Sequence, residues 1–375
     1  AYLAHGLMNI MDKSFFGKTG ITTDKPVSPY LTWEKTRQYD LGLDMDMFNY
    51  RLNVKLDYYY KYTSSLIYDI PIPGSLYTFG AQVENAMEIS NEGLELELQA
   101  DILRESAVSW RMKFNMARNW NRFEKSYSGK DVVDGDGTLL VVGRPLNGLY
   151  VWAHRGYYNS DAEVPRLYKI DGQEIYFNGV ATNGISGAVG DYRLLDLDGD
   201  GNPDSYYAGS PLPLAHGGWV NELMWKNFDL NVLVNFTIGR KMINNRMGLG
   251  FSRQSEDGHL TKLFDYRKLR PWDGVNKKPN APAWGNSLSM NTDSAIEKVH
   301  HLALKQITLG YNLPDRISKK AGFSGVRFFL TAENLFYLSN YSGGNPEVVN
   351  IYTGRDNGDT YPLPRKYTLG LTLNF

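Results

Sequence analysis

The sharpest chemical pattern in the chain is Asp196-Leu197-Asp198-Gly199-Asp200-Gly201-Asn202-Pro203-Asp204. Acidic side chains at alternate positions, with glycine at the sixth place, resemble the opening of a calcium loop. Asp196, Asp198 and Asp200 can converge because Gly201 permits a sharp turn. Asn202 can add its backbone carbonyl, and Asp204 a further oxygen. Hard oxygen donors of this kind suit Ca2+. The twelfth position is Tyr207 rather than a bidentate glutamate, and no helix pattern follows, so the loop is EF-like without being an EF-hand. A structural role, pinning a surface loop, fits it better than catalysis. The plain alternative is a solvated acidic turn.

A second pattern is the aromatic run Leu149-Tyr150-Val151-Trp152-Ala153-His154-Arg155-Gly156-Tyr157-Tyr158. The rings of Tyr150, Trp152, Tyr157 and Tyr158 are of the kind that stack on sugar faces, and Arg155 can clamp an acidic group. This segment is expected to border a binding cavity; packing of the rings within the loop itself is the competing reading. Trp272 and Trp284 pose the same choice. His300 and His301 are adjacent, and neighbours on a strand point to opposite faces, so they do not share one ion. No GxSxG, HExxH or P-loop occurs, and no catalytic constellation emerges. With no cysteine in 375 residues, thiol catalysis, disulfides and cysteine-ligated metals are excluded. A net charge of -1 gives no electrostatic drive towards nucleic acid.

The elements that must position these loops read as strands with a period of two. Leu52, Val54, Leu56, Tyr58 and Tyr60 oppose Arg51, Asn53, Lys55 and Asp57. Leu94, Leu96, Leu98 and Ala100 oppose Glu95, Glu97, Gln99 and Asp101. The same alternation marks Val108 to Met116, Phe228 to Ile238, Val326 to Glu333 and, most cleanly, Tyr367 to Phe375. One greasy face and one wet face over roughly nine to thirteen residues exceed the usual strand of about five to six. They match the roughly nine to eleven residues of a tilted strand that crosses a bilayer. The spacing predicts an all-β, transmembrane antiparallel β-barrel with lipid outside and water inside. A large soluble β-sandwich or propeller is the alternative, with shorter strands and an inward apolar face. No uncharged apolar run is long enough for a transmembrane helix. The mean hydropathy of -0.41 suits a barrel lined by water.

Aromatics near strand ends, Tyr58, Tyr59, Tyr60, Tyr62, Trp120, Phe123, Trp219 and Trp225, fit interfacial belts, with core packing as the plain alternative for any one of them. Phe48-Asn49-Tyr50 and Trp225-Lys226-Asn227 read as tight turns, whereas roughly 124–215, 240–298 and 337–364 read as long loops. Short turns on one side and long loops on the other are the barrel arrangement. Pro314 to Gly322 reads as a short helix, and Asp293 to Lys298 as a weaker one.

Several segments carry a family resemblance. Leu31-Thr32-Trp33-Glu34-Lys35-Thr36, followed by Asp40-Leu41-Gly42-Leu43-Asp44, resembles a segment of SusC/RagA-family TonB-dependent outer-membrane transporters. Asn91-Glu92-Gly93-Leu94-Glu95-Leu96, Leu304 to Pro314, Thr331-Ala332-Glu333-Asn334-Leu335-Phe336 and Pro364 to Phe375 continue it in family order. Gly143-Arg144-Pro145-Leu146-Asn147-Gly148 leads into the aromatic run in the same way. The resemblance implies an outer-membrane importer of the Bacteroidota type, not an enzyme, that takes up oligosaccharides or peptides. It implies a SusD-like lid lipoprotein, the TonB-ExbB-ExbD complex and the surrounding outer-membrane lipid as partners, and no nucleic acid. It makes Phe375 the terminal signal read by the barrel assembly machinery; Phe375 can equally be the last lipid-facing residue. Residues 1–375 are expected to be the C-terminal portion, about ten to twelve strands, of a larger barrel whose plug and first strands lie elsewhere. A surface barrel without active transport, and a secreted calcium-dependent glycan-binding or glycan-cleaving β-protein, are the other readings.

Overall fold

The computed structural model describes residues 8–23, 26–72, 81–104, 106–133, 139–164, 166–168, 174–176, 189–199, 204–245, 270–275, 278–283, 292–358 and 360–375. The chain begins with the hairpin β1 (Met8–Phe15) and β2 (Lys18–Thr23). Four long strands follow: β3 (Lys35–Met47), β4 (Leu52–Pro71), β5 (Ala81–Leu103) and β6 (Val108–Lys125). A long connection then carries the short pieces β7 (Val132–Val133), β8 (Leu139–Leu140), β9 (Leu149–Trp152), β10 (His154–Tyr157), β11 (Arg166–Tyr168), β12 (Glu174–Tyr176), β13 (Tyr192–Leu194) and β14 (Ser205–Gly209). Long strands resume with β15 (Ala215–Trp225), β16 (Phe228–Asn244), β17 (Ile296–Asn312) and β18 (Gly325–Ser339), then the short β19 (Arg355–Asp356), and end with β20 (Lys366–Asn374). The helix α1 (Asp315–Lys320) sits between β17 and β18, with Gly322 beyond it at φ 82°.

One sheet of ten strands dominates. Its order is β20-β18-β17-β16-β15-β6-β5-β4-β3, with β19 paired to β16 in parallel. Along the path β6-β15-β16-β17-β18-β20 every neighbouring pair is antiparallel, as expected for an up-and-down wall, with β7 to β14 and β19 falling in the connections.

The registers turn the sequence alternation into rows. Trp110, Leu223, Leu230, Leu309, Leu330 and Leu369 face one another across six strands. One residue along, Arg111, Glu222, Asn231, Thr308, Thr331 and Thr368 form a polar row. Successive side chains alternate faces, so these rows lie on opposite sides of the sheet. Leu369 is 81% exposed and Leu330 48% exposed, with no protein covering that face. A contiguous apolar surface of this kind in water would be an aggregation site; against lipid it is the stabilising face. The polar intruder on the apolar side, Asn221, accepts a hydrogen bond from the Trp110 indole at 3.1 Å.

The tight turns form as the sequence indicates. Phe48, Asn49 and Tyr50 take φ of 56°, 54° and 61°, and Arg51 N–H closes back on Met47 at 3.1 Å. Lys226, at φ 52°, turns β15 into β16 with Trp225 opposite Phe228.

The strands are longer than the alternation suggests: β4 has 20 residues and β5 has 23. At roughly 3.3 Å per residue, 20 residues run about 66 Å, twice the bilayer's hydrocarbon core. The reason is visible along β5, whose polarity inverts near Gly93. Below it, Leu94 and Leu96 share a face. Above it, the same face carries Glu92, bonded by Tyr58 at 3.1 Å, Ser90, which donates to Glu124 at 2.5 Å, and Glu88, bonded by Tyr62. The opposite face there becomes the greasy one: Met87 packs with Phe123, Val132 and Leu140, flanked by Leu66 and Ile89. Phe123 is fully buried in that core, so it is not an interfacial aromatic. At the other candidate helix, Asp293–Ala295 is a single 3-10 turn that leads directly into β17.

Candidate functional site

The aromatic run is built as two short strands. β9 pairs with β14, setting Tyr150 opposite Tyr207 and Trp152 opposite Ser205. β10 pairs with β13, setting Tyr157 opposite Tyr192. Alternation again decides the faces: Leu149 and Val151 are buried with Ala208, Ile243 and Ala295, leaving Tyr150 and Trp152 on the other side, half-buried. The Tyr150 and Tyr207 rings sit 5.7 Å apart, and Tyr157 stacks on Tyr192 at 5.4 Å. Tyr158 is buried; its N–H donates to the Asp191 carbonyl at 3.0 Å. Arg155 faces solvent. The five residues therefore belong to one folded loop, but in different environments.

A polar knot joins this loop to the turn before β17. His154 Nδ1 hydrogen-bonds Asp293, whose second oxygen accepts from the Tyr206 hydroxyl at 3.2 Å. Ser294 donates to the Tyr192 hydroxyl at 3.0 Å, and the His154 ring lies edge-on to Tyr192 at 4.8 Å. Burial pushes the Tyr192 phenol above its ordinary value, and burial does the same at Tyr157, Tyr158 and Tyr206. Sequence reasoning does not find this knot. Its partners stand 139 positions apart, and neither His154 nor Asp293 belongs to a spacing motif.

The acidic loop lies directly beside it. Ala153 N–H bonds the Asp204 carbonyl at 3.2 Å, and Leu195 N–H bonds the Ala153 carbonyl at 3.0 Å. Asp196, Asp198 and Asp204 bring carboxylate oxygens within 4.8 Å of one another. Asp196 accepts from Gly199 N–H at 2.6 Å, and Asp204 accepts from Leu197 N–H at 2.5 Å and Asp198 N–H at 3.2 Å. Gly199 makes the turn, at φ 84°. Asp200, Gly201 and Asn202 lie outside the described residues. The three convergent carboxylates offer hard, anionic oxygens of the type Ca2+ prefers, fewer than the roughly six to eight it usually takes, and exposed acidic groups also cluster without an ion.

Elsewhere, Trp272 donates its indole N–H to Asn159 at 3.2 Å, and Trp284 lies outside the described residues. His300 is exposed while His301 is buried, so the pair divides between faces. Phe375 is 93% exposed at the end of β20, with its ring 5.3 Å from Phe323.

Residues 12–208 match the family model described as the TonB dependent receptor-like β-barrel. The chain belongs to that family. A TonB-dependent receptor of Formosa agariphila is 30% identical over 96% of the chain and 36% of its own length. The TonB-dependent receptor SusC of Bacteroides thetaiotaomicron is 28% identical over 96% of the chain and 34% of its length. The receptor chain thus spans about a third of the curated relatives it matches. Its fold is shared with the solved RagAB peptide importer in the closed-closed state, with a TM-score of 0.77, 23% identity, all of this chain and 39% of that one. The ten-stranded sheet is accordingly part of a receptor barrel wall in the outer membrane, and its apolar rows face lipid.

Proposed function

We propose that this chain is the wall of a SusC-like, TonB-dependent importer that brings oligosaccharides or peptides through the outer membrane. What supports the reading most is its similarity, over 96% of its length, to the receptor SusC. The apolar row on one face of the sheet and the polar row on the other are consistent with a lipid-embedded, water-lined wall. In this reading a SusD-like lipoprotein covers the outer mouth, TonB-ExbB-ExbD supplies the energy, and the barrel assembly machinery reads Phe375. The aromatic loop with Tyr150, Trp152, Arg155, Tyr157 and Tyr158 contributes to the ligand path. The test is uptake of labelled oligosaccharide and peptide mixtures by cells carrying or lacking the gene, with and without a functional TonB. Equal uptake without TonB defeats the importer reading and favours a passive barrel.

The acidic loop adds a structural Ca2+ site in this proposal, with Asp196, Asp198, Asp200 and Asp204 as carboxylate ligands and Asn202 giving its carbonyl. A bound ion would neutralise the clustered charge and fix β14 against β9. Calcium titration followed by limited proteolysis tests it. Cleavage near 196–204 should slow about tenfold with millimolar Ca2+, and Asp198→Asn should abolish that protection. Calcium-independent cleavage would discard the site.

A further inference from the structure

Two arginines stand on the lipid-facing side of β6, where that side turns wet. Arg118, Trp120, Arg122 and Glu124 share one face of the strand, because side chains alternate. Phe123, on the other face, is buried with Met87. Ser90 of β5 donates to Glu124 at 2.5 Å, so this is the face that carries Leu94 and Leu96 on β5. β6 runs into the long connection, which puts this end of the strand on the outer side of the membrane.

Arg118 and Arg122 are both exposed. The Arg118 guanidinium lies over the Trp120 ring at 4.4 Å, so it leans along the strand towards Arg122 and the outer surface. A long cationic side chain beside lipid takes this course to bring its charge to the headgroup level. Trp120, with an apolar body and a polar tip, suits the same level.

The carboxylates of this face are already held by other donors. Glu88 takes Lys125 at 3.7 Å and the Tyr62 hydroxyl. Glu92 accepts from Tyr58 at 3.1 Å, and Glu124 from Ser90. Neither Arg118 nor Arg122 forms an ion pair among the described residues. At roughly 3.3 Å per residue, two guanidinium-bearing positions stand about 13 Å apart beside the headgroup layer. A guanidinium is a permanently charged, planar fork that fits two phosphate oxygens. Neutral sugar hydroxyls would leave its charge unbalanced.

We infer that Arg118 and Arg122, flanking Trp120, clamp the phosphates of anionic lipid headgroups in the outer leaflet. The clamp continues the lipid-facing surface of the wall upwards and sets its height in the bilayer. It does not depend on what the receptor imports.

The experiment is native mass spectrometry of the full-length receptor titrated in neutral detergent micelles. The probes are phosphatidylglycerol and phosphatidylcholine with identical acyl chains. Phosphatidylglycerol should bind at least about tenfold more tightly. The double variant Arg118→Gln, Arg122→Gln should bring the two lipids within about twofold. Lys61→Gln removes an exposed base from the opposite face of β4 and should keep the full preference. Heat-modifiable gel mobility confirms that each variant is folded. Equal binding of the two lipids by the unaltered receptor would overturn the clamp. So would a preference that survives in the double variant or is lost in Lys61→Gln. Displacement of phosphatidylglycerol by equimolar inorganic phosphate would show a site for a soluble anion and overturn the lipid assignment.

Discussion

Replacing Arg240 with alanine should loosen one outer loop without unfolding the wall. Arg240 lies near the end of β16 and is 5% exposed. Its guanidinium donates to the Pro346 carbonyl at 3.2 Å, to Val349 at 2.9 Å and to Asn350 at 2.7 Å. The same turn carries Glu347, which pairs with Lys305 at 3.3 Å. Hydrogen bonds from a charged donor contribute about 1.5–3 kcal/mol each, so three set a ceiling near 9 kcal/mol. The lost hydration of a buried guanidinium offsets much of that, and removing one partner of a buried charged network typically costs about 3–5 kcal/mol. The low end applies here, because the abandoned carbonyls are neutral and reach water once the loop lifts. About 3 kcal/mol corresponds to roughly a hundredfold larger open population. Hydrogen exchange reads it directly at the amides of Val349 and Gly354, which bond Pro346 and Asn350. Their exchange should accelerate about a hundredfold while the amides of β18 and β20 stay unchanged. Unaltered exchange at those two amides, or equal acceleration throughout the sheet, would refute the clamp.

Other outcomes follow from single contacts. Leu330→Lys places a charge in the middle of the apolar row and should cost about 2–4 kcal/mol, read as a lower urea midpoint in micelles. Gly217→Val should prevent assembly: a Cβ there meets the Asn115 carbonyl oxygen at 2.0 Å, backbone that cannot yield. A heat-modifiable band of wild-type intensity would contradict it. The loop tyrosines set an alkaline limit. Because burial raises the Tyr192 pKa, the folded loop holds its proton longer than the unfolded chain does. Its contribution to stability is complete below the ordinary tyrosine value of about 10 and declines as pH rises from there. Tyr192→Phe should move loop opening, followed by near-ultraviolet circular dichroism, to higher pH; an unchanged transition would assign it to another group.

How much of this was legible in the sequence depends on what each residue faces. Between Tyr367 and Asn374, lipid on one side and water on the other force strict alternation, and β20 follows it throughout. On β5 the same logic holds only from Leu94 onward. Above Gly93 both partners change, the outer side becoming wet and the inner side covered by Val132 and Leu140. The pattern there inverts rather than repeats, which hid the true strand length and the burial of Phe123. The acidic loop is visible because its donors are close in sequence. The His154–Asp293 contact and the Arg240 clamp join residues more than a hundred positions apart, and no local spacing encodes them.

The most direct test of the central claim is a spin-label scan along β5, from Glu84 to Ile102, in the reconstituted full-length receptor. The chain contributes no cysteine of its own, so each introduced site is a clean attachment point within it. Labels at Leu94, Leu96 and Leu98 should be reached by oxygen dissolved in lipid and shielded from a water-soluble nickel complex. Labels at Glu95, Glu97, Glu88 and Glu92 should show the opposite, marking the inversion at Gly93. Water accessibility at Leu94, Leu96 and Leu98 equal to that at Glu95 and Glu97 would contradict the lipid-facing wall.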